Sequence, residues 1–166
     1  MARHEGVAVQ RDAVDLDALA RRVVAKAKGQ VGAVTTFAGY VRADSLGKGK
    51  VTSIDYEAFR EMALEQLARI RRDAMAKFGL ADCRIVHRTG TLKVGQPSIF
   101  VLCAAGHRAP TLEATAWIMD EVKRVVPVWK RERSKDGERW VEGHDHGRRQ
   151  GHATAPRLPE ARLPFG

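Results

Sequence analysis

Residues 98–105, SIFVLCAA, form the most apolar stretch of the chain. A turn-like KVGQ (93–96) precedes the stretch and Gly106 follows it, which leaves room for a strand and little else. It falls far short of the roughly eighteen apolar residues that mark a membrane span, and no other stretch reaches that length. So apolar a strand has to be covered, and the remaining sequence supplies the cover. From Asp15, the positions Leu16, Leu19, Ala20, Val23, Val24 and Ala27 repeat at helical spacing, with Asp15 as cap and Gly29 as stop. Ala63, Leu67, Ile70, Ala74 and Phe78 mark a second helix that ends at Gly79. A third runs from about Thr111 to Val125, with Leu112, Thr115, Met119, Val122 and Val126 as its inward stripe, and stops before Pro127.

Further strands come from VGAVTTFAGYV (31–41), from the alternation of Thr52, Ile54 and Tyr56, and from Cys83–Arg88. A short last one is expected at Trp140–Glu142. The order α β β α β β α β, with short turns between sequential strands, predicts an α+β domain with a mostly antiparallel sheet. ADSLGKGK (43–50) is a loop and matches neither a phosphate-binding loop nor a dinucleotide fingerprint. Beyond His144 the sequence GRRQGHATAPRLPEARLPFG has little apolar periodicity and three prolines. One domain over 1–144 and a flexible basic tail over 145–166 are therefore expected.

The formal net charge is +9, shared between residues 1–120 and residues 121–166 instead of forming one basic arm. A nucleic-acid surface assembled by folding and a basic pocket for a small anion both fit such a spread. The N-terminus has no apolar secretion core, so a cytoplasmic protein is expected. In that compartment Cys83 and Cys103, both inside apolar strands, read as reduced and buried, with no metal site between them.

Two places carry candidate chemistry. Gly106-His107-Arg108 lies where free N–H groups at a helix start favour an anion, and arginine adds a planar fork of donors. The plainer alternative is a solvated connection. Lys123 borders the third helix's apolar stripe, either lying over apolar surface or held in a pocket. Neighbouring cations in a pocket would lower its proton affinity into a useful range. Pro127 turns the chain and Trp129 can anchor it, which would return Lys130 to the side of Lys123.

In order and spacing, TTFAGYVR (35–42), AAGHR (104–108), WIMDEVKRVVPVWKRE (117–132) and GERWVE (137–142) resemble the large, catalytic subunit of molybdopterin synthase, the MoaE family. The resemblance runs from about Val31 to Glu142. It implies an α/β hammerhead-type fold with three main helices, and a homodimer within a heterotetramer. The implied partner is a separate MoaD-type ubiquitin-like sulfur carrier whose C-terminal Gly-Gly ends in a thiocarboxylate. The implied substrate is cyclic pyranopterin monophosphate, with no metal or organic cofactor, no nucleic acid and no membrane involved. Lys123 corresponds to the family's catalytic lysine, and Lys130 shares its work. The substrate pocket maps onto Phe37, Tyr40, Val41 and Arg42, onto Met119, Arg131 and Glu132, and onto His107 and Arg108 of the other protomer. Two positions depart from the pattern. His144 stands where many relatives carry a pocket arginine, and Tyr40 stands where lysine is common. Other readings that stay open are a non-catalytic basic binding module, and an enzyme of this fold acting on a different anionic heterocycle.

Overall fold

The computed structural model describes residues 4–44, 50–135 and 137–141. His144, Glu142 and the tail over 145–166 lie outside the described residues. Eight strands and three helices alternate through the described residues: β1 (Val7–Gln10), α1 (Leu16–Lys26), β2 (Ala33–Tyr40), β3 (Val51–Ala58), α2 (Arg60–Phe78), β4 (Asp82–Arg88), β5 (Gly90–Lys93), β6 (Pro97–Ala105), α3 (Arg108–Val125), β7 (Val128–Ser134) and β8 (Gly137–Val141). The strands form two four-stranded sheets, ordered β1-β4-β6-β2 and β5-β3-β7-β8. Only β1 and β4 run parallel; every other pairing is antiparallel.

β6 lies inside the first sheet and has a covered surface on both sides, which accounts for its composition. Ile99, Val101, Cys103 and Ala105 join the core with α2 and α3, through Leu67, Ile70, Ala114 and Ile118. Leu102 and Ala104 point the other way and meet Val23 and Leu19 of α1. Cys83 and Cys103 face each other across β4 and β6 as free, buried thiols, as expected. A smaller core of Val41, Val51, Ile54, Tyr56 and Leu92 lies against the second sheet.

The Asp15 cap and the Gly79 stop hold, whereas α1 ends at Lys26, before the expected stop at Gly29. Asp15 accepts from the Ala18 N–H at 2.9 Å, and Gly79 closes α2 in the left-handed region at φ 62°. Three strands were not anticipated. β1 and β5 have four residues each, and β7 carries the polar sequence VWKRERS. The third helix also begins earlier than expected, at Arg108, because its first turn tolerates Pro110. Its buried stripe is Thr111, Ala114, Thr115, Ile118 and Val122, one position round from the expected face. Leu112, expected inside, is 58% exposed. No helix among the described residues is long and apolar enough to cross a membrane.

Candidate functional site

Lysine 123 stands in the last turn of α3, exposed, with Val122 buried and Met119 half-buried beside it. The helix ends at Val126, whose extended backbone (ψ 122°) is what a following proline demands. Pro127 then feeds the chain into β7, which runs antiparallel to β3 and brings Lys130 opposite Tyr56. The Lys130 ammonium lies 6.0 Å from the centroid of the Tyr56 ring. Burial pulls that ammonium below its ordinary range, the positive charge of Lys123 pulls it further, and Glu132 pulls the other way. Lys123 is thus near enough for its charge to act on Lys130. The cause is strand pairing; Trp129, expected as the anchor, is 44% exposed.

Because side chains alternate along a strand, β7 sorts its charges by face. Lys130 faces the Tyr56 side. Arg131 and Arg133 face the other, where both pair with Asp55 (3.1 and 2.7 Å) and Glu138 (3.4 and 3.2 Å). Arg131 also lies over the Trp140 ring at 5.2 Å. Asp55, 5% exposed, is held below the usual carboxylate range, first by the Thr91 hydroxyl and then by these arginines. Within one chain, Arg131 is thus a structural cation on the far side of the sheet from Lys130.

The segment at the end of β2 contributes unevenly. Phe37 and Tyr40 are 36% and 58% exposed on the edge strand, and Arg42 is exposed with Asp44 at 3.4 Å. Val41 is 3% exposed and packs in the small core with Tyr56, so it offers only backbone to a ligand. His107 caps α3 in extended geometry (φ −136°), and Arg108 is its first residue; both are exposed at the helix start, as the sequence suggests. They do not join the lysines. Fifteen helical positions separate Arg108 from Lys123, about 22 Å at 1.5 Å per residue.

Two residues that sequence reasoning missed complete the lysine corner. The sequence alternation makes Tyr56 part of a half-exposed strand, yet it is 5% exposed. His87, in sequence only one residue of a strand, is 6% exposed. Its ring lies 5.7 Å from that of Tyr56. Burial holds His87 down to about 4, with the Lys130 charge acting in the same direction. Its Nδ1 lies 2.8 Å from the Arg88 carbonyl, so that nitrogen carries the proton and donates. Among the described residues, no group of three or more His, Cys, Asp or Glu is placed to hold a metal ion.

Comparison with known proteins gives this geometry a context. The family model described as MoaE protein matches residues 9–125, a span that includes Lys123 and stops short of Lys130. A molybdopterin synthase catalytic subunit from Pyrococcus abyssi is 48% identical over 115 residues, covering 69% of this chain and 77% of that protein. The crystal structure of molybdopterin synthase from Staphylococcus aureus superposes with a TM-score of 0.74 at 26% identity, covering 86% of this chain and 98% of the other. A complex of subunits 1 and 2 of molybdopterin-converting factor from Helicobacter pylori matches with a TM-score of 0.66 at 18% identity, a likeness of fold alone, over 82% of this chain and 90% of that one.

Proposed function

The chain belongs to the MoaE family, and from that premise we propose how it acts as the catalytic subunit of a molybdopterin synthase. The sulfur donor in this reading is the C-terminal thiocarboxylate of a small ubiquitin-like carrier, and the acceptor is cyclic pyranopterin monophosphate. Attack by the carrier's sulfur on a side-chain carbon of the pterin joins carrier and pterin through a thioester, and the oxygen on that carbon leaves. In one round it leaves by opening the cyclic phosphate, so that the phosphate stays on its other carbon; in the other round it leaves as water. Water then cleaves the acyl–sulfur bond, so that sulfur stays on the pterin and the carrier departs with an ordinary carboxylate. Two such rounds give the dithiolene of molybdopterin.

What supports this reading is that Lys130, half-buried on β7, feels the charge of Lys123 from the end of α3. Two cations at one corner stabilise the oxyanion that forms as the acyl group is attacked. An amine whose proton affinity is lowered by burial also exchanges protons more readily near neutral pH than a free lysine. His107 and Arg108, about 22 Å from the lysines along one helix, suit the substrate phosphate if they come from a second copy of the chain. We therefore place the pocket between two copies, each with its own carrier, giving a heterotetramer in the cytoplasm. The two-subunit Helicobacter pylori complex has the same fold and supports the partner. No metal or organic cofactor enters the scheme.

The test is reconstitution. Mixed with thiocarboxylated carrier and cyclic pyranopterin monophosphate, the protein should give molybdopterin by mass spectrometry, and carrier with an ordinary carboxylate should give none. Absence of product with several competent carriers sinks the assignment.

A further inference from the structure

A lysine used for proton transfer needs a fixed position as well as a lowered proton affinity, and its flexible four-carbon stem supplies neither. Lys123, on α3, provides one boundary of the Lys130 environment, and Glu132 lies on the same strand two residues on. From β3, Tyr56 presents its ring 6.0 Å from the ammonium. From β4, His87 packs against that ring at 5.7 Å, tilted by 59°. The Tyr56 ring is itself held at its far end. Ser98 is the hydrogen-bond partner of the Tyr56 phenol, and its hydroxyl also donates to the Gly39 carbonyl at 3.2 Å. Gly39 lies in the segment that carries Phe37 and Arg42, so one side chain links the lysine corner to that segment.

We propose that Tyr56 is a positioning residue for Lys130, its ring forming the seat of the ammonium and His87 standing behind it as an uncharged ring. The electron-rich face of a tyrosine favours a cation near it without bringing a carboxylate that would fix the proton. A neutral His87 adds apolar packing and no second positive charge. Aspartate or glutamate in place of Tyr56 would raise the proton affinity that Lys123 and burial lower. The arrangement thus keeps the ammonium in place while leaving it easy to deprotonate.

This inference rests on Lys130 being a reactive cation, and its experiment reads Lys130 separately from turnover. The full chain is labelled with 13Cε-lysine, the Lys130 signal is assigned with Lys130→Arg, and its titration is followed in wild type, Tyr56→Phe and Tyr56→Leu. Phenylalanine keeps the ring, so the Lys130 midpoint should stay at its wild-type value. Leucine removes the ring's support for the cation, so the midpoint should fall by about half a pH unit. In the assembly with thiocarboxylated carrier, Tyr56→Leu should lower kcat about tenfold, as misplacement of a reacting group does, with KM little changed. Should Tyr56→Leu lose native amide dispersion, Tyr56→Met carries the same expectations. A folded leucine or methionine variant with wild-type midpoint and kcat would reduce Tyr56 to packing and overturn the proposal. So would a phenylalanine variant whose midpoint moves as far as leucine's, since the hydroxyl and not the ring would then be responsible. If wild type makes no product with a competent carrier, the sulfur-transfer reading fails while the titration still judges Tyr56.

Discussion

Lys130 is surrounded by influences of opposite sign, so single substitutions around it have predictable directions. Removing the positive charge of Lys123 should raise the Lys130 midpoint, and removing the negative charge of Glu132 should lower it. Titration of 13Cε-labelled Lys123→Gln and Glu132→Gln checks both signs, and shifts in the same direction would mean that charge does not set the difference. Lys123 is exposed, so Lys123→Ala should cost under about 1 kcal/mol in urea unfolding while removing most turnover. Turnover within a few-fold of wild type would return Lys123 to a surface role. His87 makes a different prediction. Its folded value, about 4, lies below the 6.5 of a free imidazole, so the unfolded chain takes up the proton first. The stability it protects is present above pH 6.5 and is lost as pH falls towards 4, by about 2 kcal/mol between pH 7 and 4.5. His87→Phe, which cannot titrate, should flatten that part of the stability profile; an unchanged slope would show that His87 is not held neutral.

At the scale of elements, the start of α3 is fixed by a close approach that glycine alone permits. A Cβ on Gly32 would lie 2.4 Å from the Gly106 carbonyl oxygen, a backbone atom that cannot swing aside. Gly32→Ala should therefore displace the turn before His107 and Arg108 and cost about 1–3 kcal/mol, the usual range for overpacking. Substrate affinity should weaken while the Lys130 titration stays put, because the lysine corner lies at the other end of α3. Unfolding by urea and isothermal binding read the two effects, and wild-type values in both would deny the contact. The helices were legible in the sequence because caps and apolar period agree with each other in α1 and α2. In α3 the apolar period misleads by one position, since Ala114 and Ile118 are buried and Leu112 is not. β7 was hidden for a physical reason. Its inner face holds Lys130 and its outer face is a network of Arg131 and Arg133 with Asp55, so neither face gives an apolar alternation. Of the candidate site, Lys123, Lys130, His107 and Arg108 were legible from position and resemblance together. Tyr56 and His87 were not, because a buried aromatic ring in a strand looks the same whether it fills a core or seats a charge.

Across the whole molecule, the first sheet and α3 set two clusters of candidate residues far apart. Lys123 lies in the last turn of α3, which leads into β7 and the Lys130–Tyr56 pair, and His107 and Arg108 stand at the opposite end of the helix. A substrate the size of a pterin phosphate does not bridge about 22 Å, so an account that uses both clusters requires two chains in one pocket. A net charge of +9 fits that arrangement, since the phosphate must be drawn into a site that also holds a carrier's carboxyl terminus. Complementation tests the two-chain pocket most directly. Arg108→Ala and Lys123→Ala proteins, each inactive alone, are mixed, allowed to exchange subunits, and assayed with thiocarboxylated carrier and cyclic pyranopterin monophosphate. A mixed dimer holds one pocket with both lesions and one with neither, so random exchange should restore about a quarter of wild-type activity. No recovery, with exchange demonstrated by mass spectrometry of the mixed dimers, would contradict the account and mean that each pocket is built within a single chain.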